Sequence, residues 1–447
     1  MEPLEVPRDI VPLILPSEAL SITSFLRFPL PKPALANPFL SRRPEDWLSS
    51  HPVDEATFTL AMLTEMPIPP LDITDSLVHV LSTQLICAMQ SITPLHLPDD
   101  DAEFKHYLPL WVPTYWQAIH QARRCRQVWT TALEWVDRKA KGSASGREAQ
   151  KQLMRHLAHL SWSNRLHGKD VGYGQTQMLS VLLSDQQLTG AHICQLTARA
   201  KKKTLDRTEA EPWTFPHAFV APEFVESLLL ASRETTEDAI ETERCYQQLR
   251  DLEHDLISGF RSTVSGVIFT NSNHFTCFVL DATGGILRFG DSLGGCLPSR
   301  IGEAFAWWMA RLQAAGVGPA QKTNSFNKRM KSDLPITEQR PNDDFSCGIL
   351  AVNALEHYHN PDVSLLAPDT KSIGLERLQA CIDICKLHFE AVSASTSAEA
   401  AVTEQTFVHS YQTSRRSSTS RSRRPPVTLN SPLCVRWAAR KLWIQTR

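Results

Sequence analysis

Apolar residues along this chain follow two different periods, and the change of period marks where the chemistry lies. Between 264 and 289 they come in short blocks rich in β-branched and aromatic residues. Residues 264–270 alternate, 275–280 are apolar, 281–285 carry Asp, Thr and a Gly-Gly pair, and 286–289 are apolar again. This predicts a strand followed by two strands joined through a tight turn. His274 opens the first strand of that pair and Asp291 closes the second, so antiparallel pairing sets an imidazole beside a carboxylate.

Elsewhere the spacing is helical. Trp116, Ile119, Ala122, Trp129, Ala132, Leu133 and Val136 recur after the start signal Pro113-Thr114 and stop at Lys141-Gly142. Leu153, Leu157 and Leu160 continue the period, which predicts an αα-hairpin. Shorter helices are expected over 58–66, 76–89, 184–203 and 302–314, and a long acidic one over 223–256. Two more are expected, one opening at Cys347 with the apolar run 349–355 and a last ordered one over 375–392. Nine prolines in residues 1–45 break every period there, so an extended, poorly packed arm is expected.

The chain has 447 residues, 42% hydrophobic and 21% charged, enough for several domains with ordinary cores. Its net charge of −2 hides an asymmetry. Nine basic residues and no acidic one lie between Thr413 and Arg447, which leaves 37 basic against 48 acidic residues before them. The tract SRRSSTSRSRRPP reads as a low-complexity basic tail, with nuclear targeting or nucleic-acid contact as the function such a tail would serve. Ten cysteines without regular spacing, no signal peptide and no membrane-length apolar run point to a reducing compartment, nucleus or cytoplasm. Cys381 and Cys385 sit one helical turn apart without a second pair at ligand spacing, so no metal and no cofactor is expected.

Cys347 follows a polar loop and opens an apolar helix. The positive end of a helix dipole favours thiolate over thiol. His274, Asp291 and Cys347 therefore supply a base, a group that orients it and a nucleophile. His357 and His359 lie more than two turns along the Cys347 helix, too far along it to serve its first residue.

These residues resemble the signature of the cysteine proteases that act on SUMO and related ubiquitin-like proteins. The matching stretches are His274-Phe275, Asp291-Ser292-Leu293, Gln339 and Cys347-Gly348. A weaker match is Leu182-Leu183-Ser184-Asp185, similar to the Trp-Leu-x-Asp segment that opens the family's domain. The resemblance covers roughly residues 175–392. It implies an α+β, papain-like cysteine protease domain with a central mixed sheet and flanking helices. It also implies a catalytic set of His274, Asp291 and Cys347 with Gln339 as oxyanion donor, and substrate contacts from Phe275, Leu182 and Asp185. Phe275 and Leu182 stand where the family usually has tryptophans over the substrate's Gly-Gly tail, as in a divergent, mobile-element type of member. The implied activity is cleavage after Gly-Gly of a SUMO-like modifier, free or conjugated.

The expected organisation is a Pro-rich arm (1–45), an α-helical region (46–170), the protease domain (171–392) and a disordered basic tail (393–447). The helical region holds five of the eleven tryptophans between Trp111 and Trp162. They are read either as a core or as a platform for a protein partner. Two other functional readings stay open. One is a catalytically silent interaction module on the same fold, and the other is an acyltransferase with a similar triad.

Overall fold

The three expected strands and two further ones form one mixed sheet. Its strands are β1 (His217–Val220), β2 (Thr263–Thr270), β3 (His274–Asp281), β4 (Ile286–Gly290) and β5 (Met330–Lys331), side by side in that order. β2, β3 and β4 are antiparallel neighbours, while β1 joins β2 and β5 joins β4 in parallel. The turn between β3 and β4 closes because Asp281 Oδ1 accepts from the Thr283 hydroxyl and the Gly284 N–H, each at 2.8 Å. Gly285 then takes φ 64°, a conformation that favours glycine. The computed structural model describes residues 5–32, 43–53, 58–83, 89–93, 107–167, 175–208, 214–234, 236–270, 273–318, 326 and 329–413.

Helices cover both faces of the sheet, which makes the fold α+β. On one face Val267, Phe275, Cys277 and Val279 share a core with the helix Cys347–His359 and with Leu182, Ile193 and Leu196. On the other face Ile268, Phe278, Leu280 and Phe289 meet Phe224, Leu252, Phe305 and Trp308 from three more helices. Those helices are Pro222–Ala231, Gln247–Ile257 and Ser299–Ala314. The single long helix expected over 223–256 is thus several pieces, including a short helix Glu237–Thr242. The chain turns between them because each must aim its own apolar side at the sheet.

The αα-hairpin is present as Val112–Ala140 and Ala144–Leu157. Ser143 Oγ caps the second helix by accepting from the Gly146 N–H at 3.2 Å. Trp111, Trp116, Trp129, Trp135 and Trp162 are all buried, so the tryptophans are core and not an exposed partner platform. The first half of the long helix packs on Trp47, Leu63 and Leu77. Its second half joins the core that also holds the Cys347 helix. The described part of the proline-rich arm is likewise packed. Its helices Val11–Ile14 and Ile22–Arg27 bury Ile14, Ile22 and Phe25, and Phe25 stacks on Trp162 at 4.1 Å between ring centres. Prolines end these helices early without keeping their apolar residues from the core.

Two compact units are distinguished, Met1–Val392 and Ser393–Arg447. The expected helical region and protease region both belong to the first. The last helix, Thr370–Thr413, runs past the expected end at 392, in keeping with the strong helix formers of SAEAAVTEQ. The basic tract and the expected nuclear or nucleic-acid role lie in 414–447, outside the described residues. No helix among the described residues is long and apolar enough to cross a membrane.

Because Trp129 has no exposed area and belongs to the core shared with the catalytic region, Trp129→Ala should cost about 3–5 kcal/mol. Urea titration should show the loss in the same transition that unfolds the sheet.

Candidate active site

The register of β3 and β4 sets the first contact. Cys277 pairs with Gly290, so Asp291 emerges just beyond the ladder, beside the first residues of β3. His274 Nε2 and Asp291 Oδ1 are 2.7 Å apart. The carboxylate is held in turn by the Leu293 N–H at 2.8 Å and by the Gly295 N–H. A Cβ on residue 295 would collide with the Asp291 carboxylate, so glycine is what allows this loop to wrap it.

The second contact comes from across the core. The helix that starts at Cys347 packs on β3 through Gly348, where an added Cβ would crowd Ile193 and touch Phe275. That close approach brings the Cys347 thiol into a hydrogen bond with the His274 ring. Both residues open onto a cleft of about 690 Å³, lined also by Ser292, Leu293, Gln339 and Asp343.

The electrostatics agree with this pairing. The hydrogen bond donated to Asp291, followed by the one with Cys347, outweighs burial and raises the His274 pKa from 6.5 to about 9. Burial pushes the Asp291 carboxyl up, but the bonds from His274 and the two backbone N–H groups win and hold it below its ordinary value. At neutral pH the ring is therefore protonated between a carboxylate and a sulfur.

Gln339 reaches the cleft because the loop before Cys347 doubles back. Asn342 takes φ 65° there, a left-handed conformation that asparagine tolerates. Gln339 Oε1 accepts from the Ser292 hydroxyl at 3.1 Å, and Nε2 donates to the Asp343 carbonyl. Those two bonds orient the amide with its nitrogen away from Ser292.

The structure brings His274, Asp291, Cys347 and Gln339 together and leaves the other expected site residues elsewhere. Phe275 and Leu182 have no exposed area. Phe275 braces the Cys347 helix from inside the core and Leu182 ends a buried helical turn, so the expected substrate contacts at these two positions are corrected to packing roles. For Phe275 the reason is strand parity. His274 turns to the cleft, and its neighbour must then face the opposite side. Asp185 pairs with Lys139 at 3.3 Å and does not line the cleft. Exposed Leu293, two residues after Asp291 in the motif, does line it, although no substrate contact was expected there. His359 bonds Ser265 at 2.7 Å far from the sulfur.

No protein-family model and no curated protein matches the sequence. Several solved structures are similar to part of this chain. The C-terminal Ulp1 protease domain in complex with Smt3, the yeast ortholog of SUMO, is 16% identical with a TM-score of 0.38, over 53% of this chain and 94% of that one. The Ulp1-like SUMO protease catalytic domain of Chaetomium thermophilum is 14% identical with a TM-score of 0.34, over 45% and 73%. The Xanthomonas campestris effector XopD bound to ubiquitin is 17% identical with a TM-score of 0.28, over 44% and 91%. At this level of similarity the weight rests on the geometry of the site itself.

The raised His274 pKa has a signed consequence. A group whose pKa is higher folded than unfolded adds stability that is complete below 6.5 and disappears as pH rises through about 9. Cys347 alkylation that depends on the imidazolium should fall over the same upper range. Asp291→Asn removes the largest raising influence, so the limb should move toward lower pH. A limb that stays near 9 in this variant would show that the carboxylate does not set it.

Proposed function

We propose that this protein is a cysteine peptidase and isopeptidase that cleaves after the Gly-Gly end of a ubiquitin-like modifier of the SUMO kind. The observation that carries the reading is the convergence of three groups distant in sequence. His274 lies 2.7 Å from Asp291 and is hydrogen-bonded to Cys347 at the wall of one cleft. The choice of substrate rests on the motif resemblance, His274-Phe275, Asp291-Ser292 and Cys347-Gly348.

In this reading the Cys347 sulfur attacks the carbonyl carbon of the terminal glycine. The oxyanion meets the Cys347 backbone N–H at the start of its helix and the Gln339 amide. One Nε2 hydrogen of that amide serves the Asp343 carbonyl, and the other is the one offered to the oxyanion. His274 passes its proton to the departing amine, the C–N bond breaks and a thioester remains. Water then attacks the thioester with His274 as base, releasing the glycine carboxylate and restoring the thiol. Asp291 keeps the ring oriented through both halves and stabilises its cationic form. A modifier and its lysine conjugates are the partners this chemistry needs.

Modifiers carrying C-terminal thiol-reactive warheads test the reading directly. The parent protein should form an adduct with a SUMO-like member, and Cys347→Ser should form none. His274→Ala should react far more slowly. Gln339→Ala should still be labelled while turnover falls about 10²–10³-fold. Parent protein that stays unlabelled by every member, though its Cys347 reacts with a small alkylating agent, would defeat the assignment of substrate.

A further inference from the structure

The last helix carries one cation on its apolar face. Ile373, Arg377, Cys381 and Cys385 follow each other at helical spacing, and all four are buried, Arg377 with no exposed area. Its guanidinium is met by four backbone carbonyls and not by a carboxylate. Nε donates to Leu182 O at 3.1 Å, and Nη2 donates to Val181 O at 2.8 Å and Gln186 O at 2.7 Å. Nη1 donates to Phe345 O at 3.2 Å, and the group lies 5.9 Å from the centre of the Phe345 ring. Burying a charge with only neutral partners is expensive, and a well-packed apolar side chain often serves stability as well or better. The position of these carbonyls says what the expense secures.

Phe345 stands two residues before Cys347 in the loop that delivers the nucleophile. Within that loop Asp343 Oδ1 accepts from the N–H groups of Phe345 and Ser346 at 3.2 and 3.1 Å. The other three carbonyls belong to the segment 181–186. The next residue, Gln187, donates its side-chain amide to the carbonyl of Asn273, immediately before His274. One guanidinium therefore grips the support of the sulfur and the support of the base.

We propose that Arg377 is a positioning residue, which sets the Cys347 loop at hydrogen-bonding distance from His274 by holding both supports at once. The inference rests on the reading of Cys347 as nucleophile. The planar fork suits four carbonyls on two segments, where the compact ammonium of a lysine would reach only some of them. The charged and titratable groups around this junction are Asp185 (paired with Lys139), Asp343, His192, Cys347, His274 and Asp291. Burial lowers the His192 pKa to about 4, so it stays neutral through the range of interest.

The test follows the His274 ring by NMR titration in the full chain, for the parent and for Arg377→Gln, Arg377→Lys and Gln187→Ala. Contact with Cys347 is one of the influences that raise His274, so losing the grip should move its titration from about 9 toward 6.5. In Arg377→Gln, kcat should fall about 10²-fold with KM nearly unchanged. Arg377→Lys should recover part of both effects, and Gln187→Ala, at a half-buried site, should show the same sign to a smaller degree. The proposal is overturned if Arg377→Gln only melts earlier while His274 titrates as in the parent. Should neither Arg377 variant fold, an unaltered titration in Gln187→Ala overturns it instead. A parent that processes no modifier but titrates near 9 would defeat the proposed function alone, and the ring titrations and Cys347 alkylation rates would still decide the role of Arg377.

Discussion

The approach of the Cys347 helix to strand β3 is the constraint on which the site depends. Gly348 has no side chain to hold the helix away, and Phe275 fills the space between them without any exposure. A thiol and an imidazole from segments more than seventy residues apart then meet at the end of the sheet. Strand parity does the sorting. His274 faces the cleft while its neighbour Phe275 faces the core, so one dipeptide supplies both a reacting group and the packing that aims its partner.

Around that contact, polar groups are used for placement at the cost of burial. Asp291 is wrapped by two backbone N–H groups and His274, and that set overcomes the tendency of burial to neutralise the carboxyl. Gln339 is fixed by Ser292 on one side and the Asp343 carbonyl on the other. Arg377 reaches the same region from the last helix and meets only carbonyls. Each of these groups would be easier to replace by an apolar one if packing were all that mattered.

The helical hairpin is part of the same construction. Trp129 and Trp135 are buried in the core that also holds Leu182, Ile193 and the Cys347 helix. Lys139, near the end of the long helix, pairs with Asp185 and contributes its ammonium to the Thr370 carbonyl at 3.4 Å. Strain or loosening in the hairpin would thus be transmitted to the segment that Arg377 grips, because packed interiors yield little.

Local pattern alone determined the strands around His274 and Asp291, the helix at Cys347, the αα-hairpin and the candidate triad. Period, turn chemistry and helix-start signals are properties of neighbouring residues, so they survive without knowledge of the fold. The tertiary structure decided which side of each element faces inward. It turned Phe275 and Leu182 from substrate contacts into core, and the tryptophans from a platform into packing. It broke the acidic stretch 223–256 into separate helices and began the helix expected at 184 only at Gly190. Those outcomes depend on contacts between residues far apart in the chain, and the free energy of such burial has no expression in any local window.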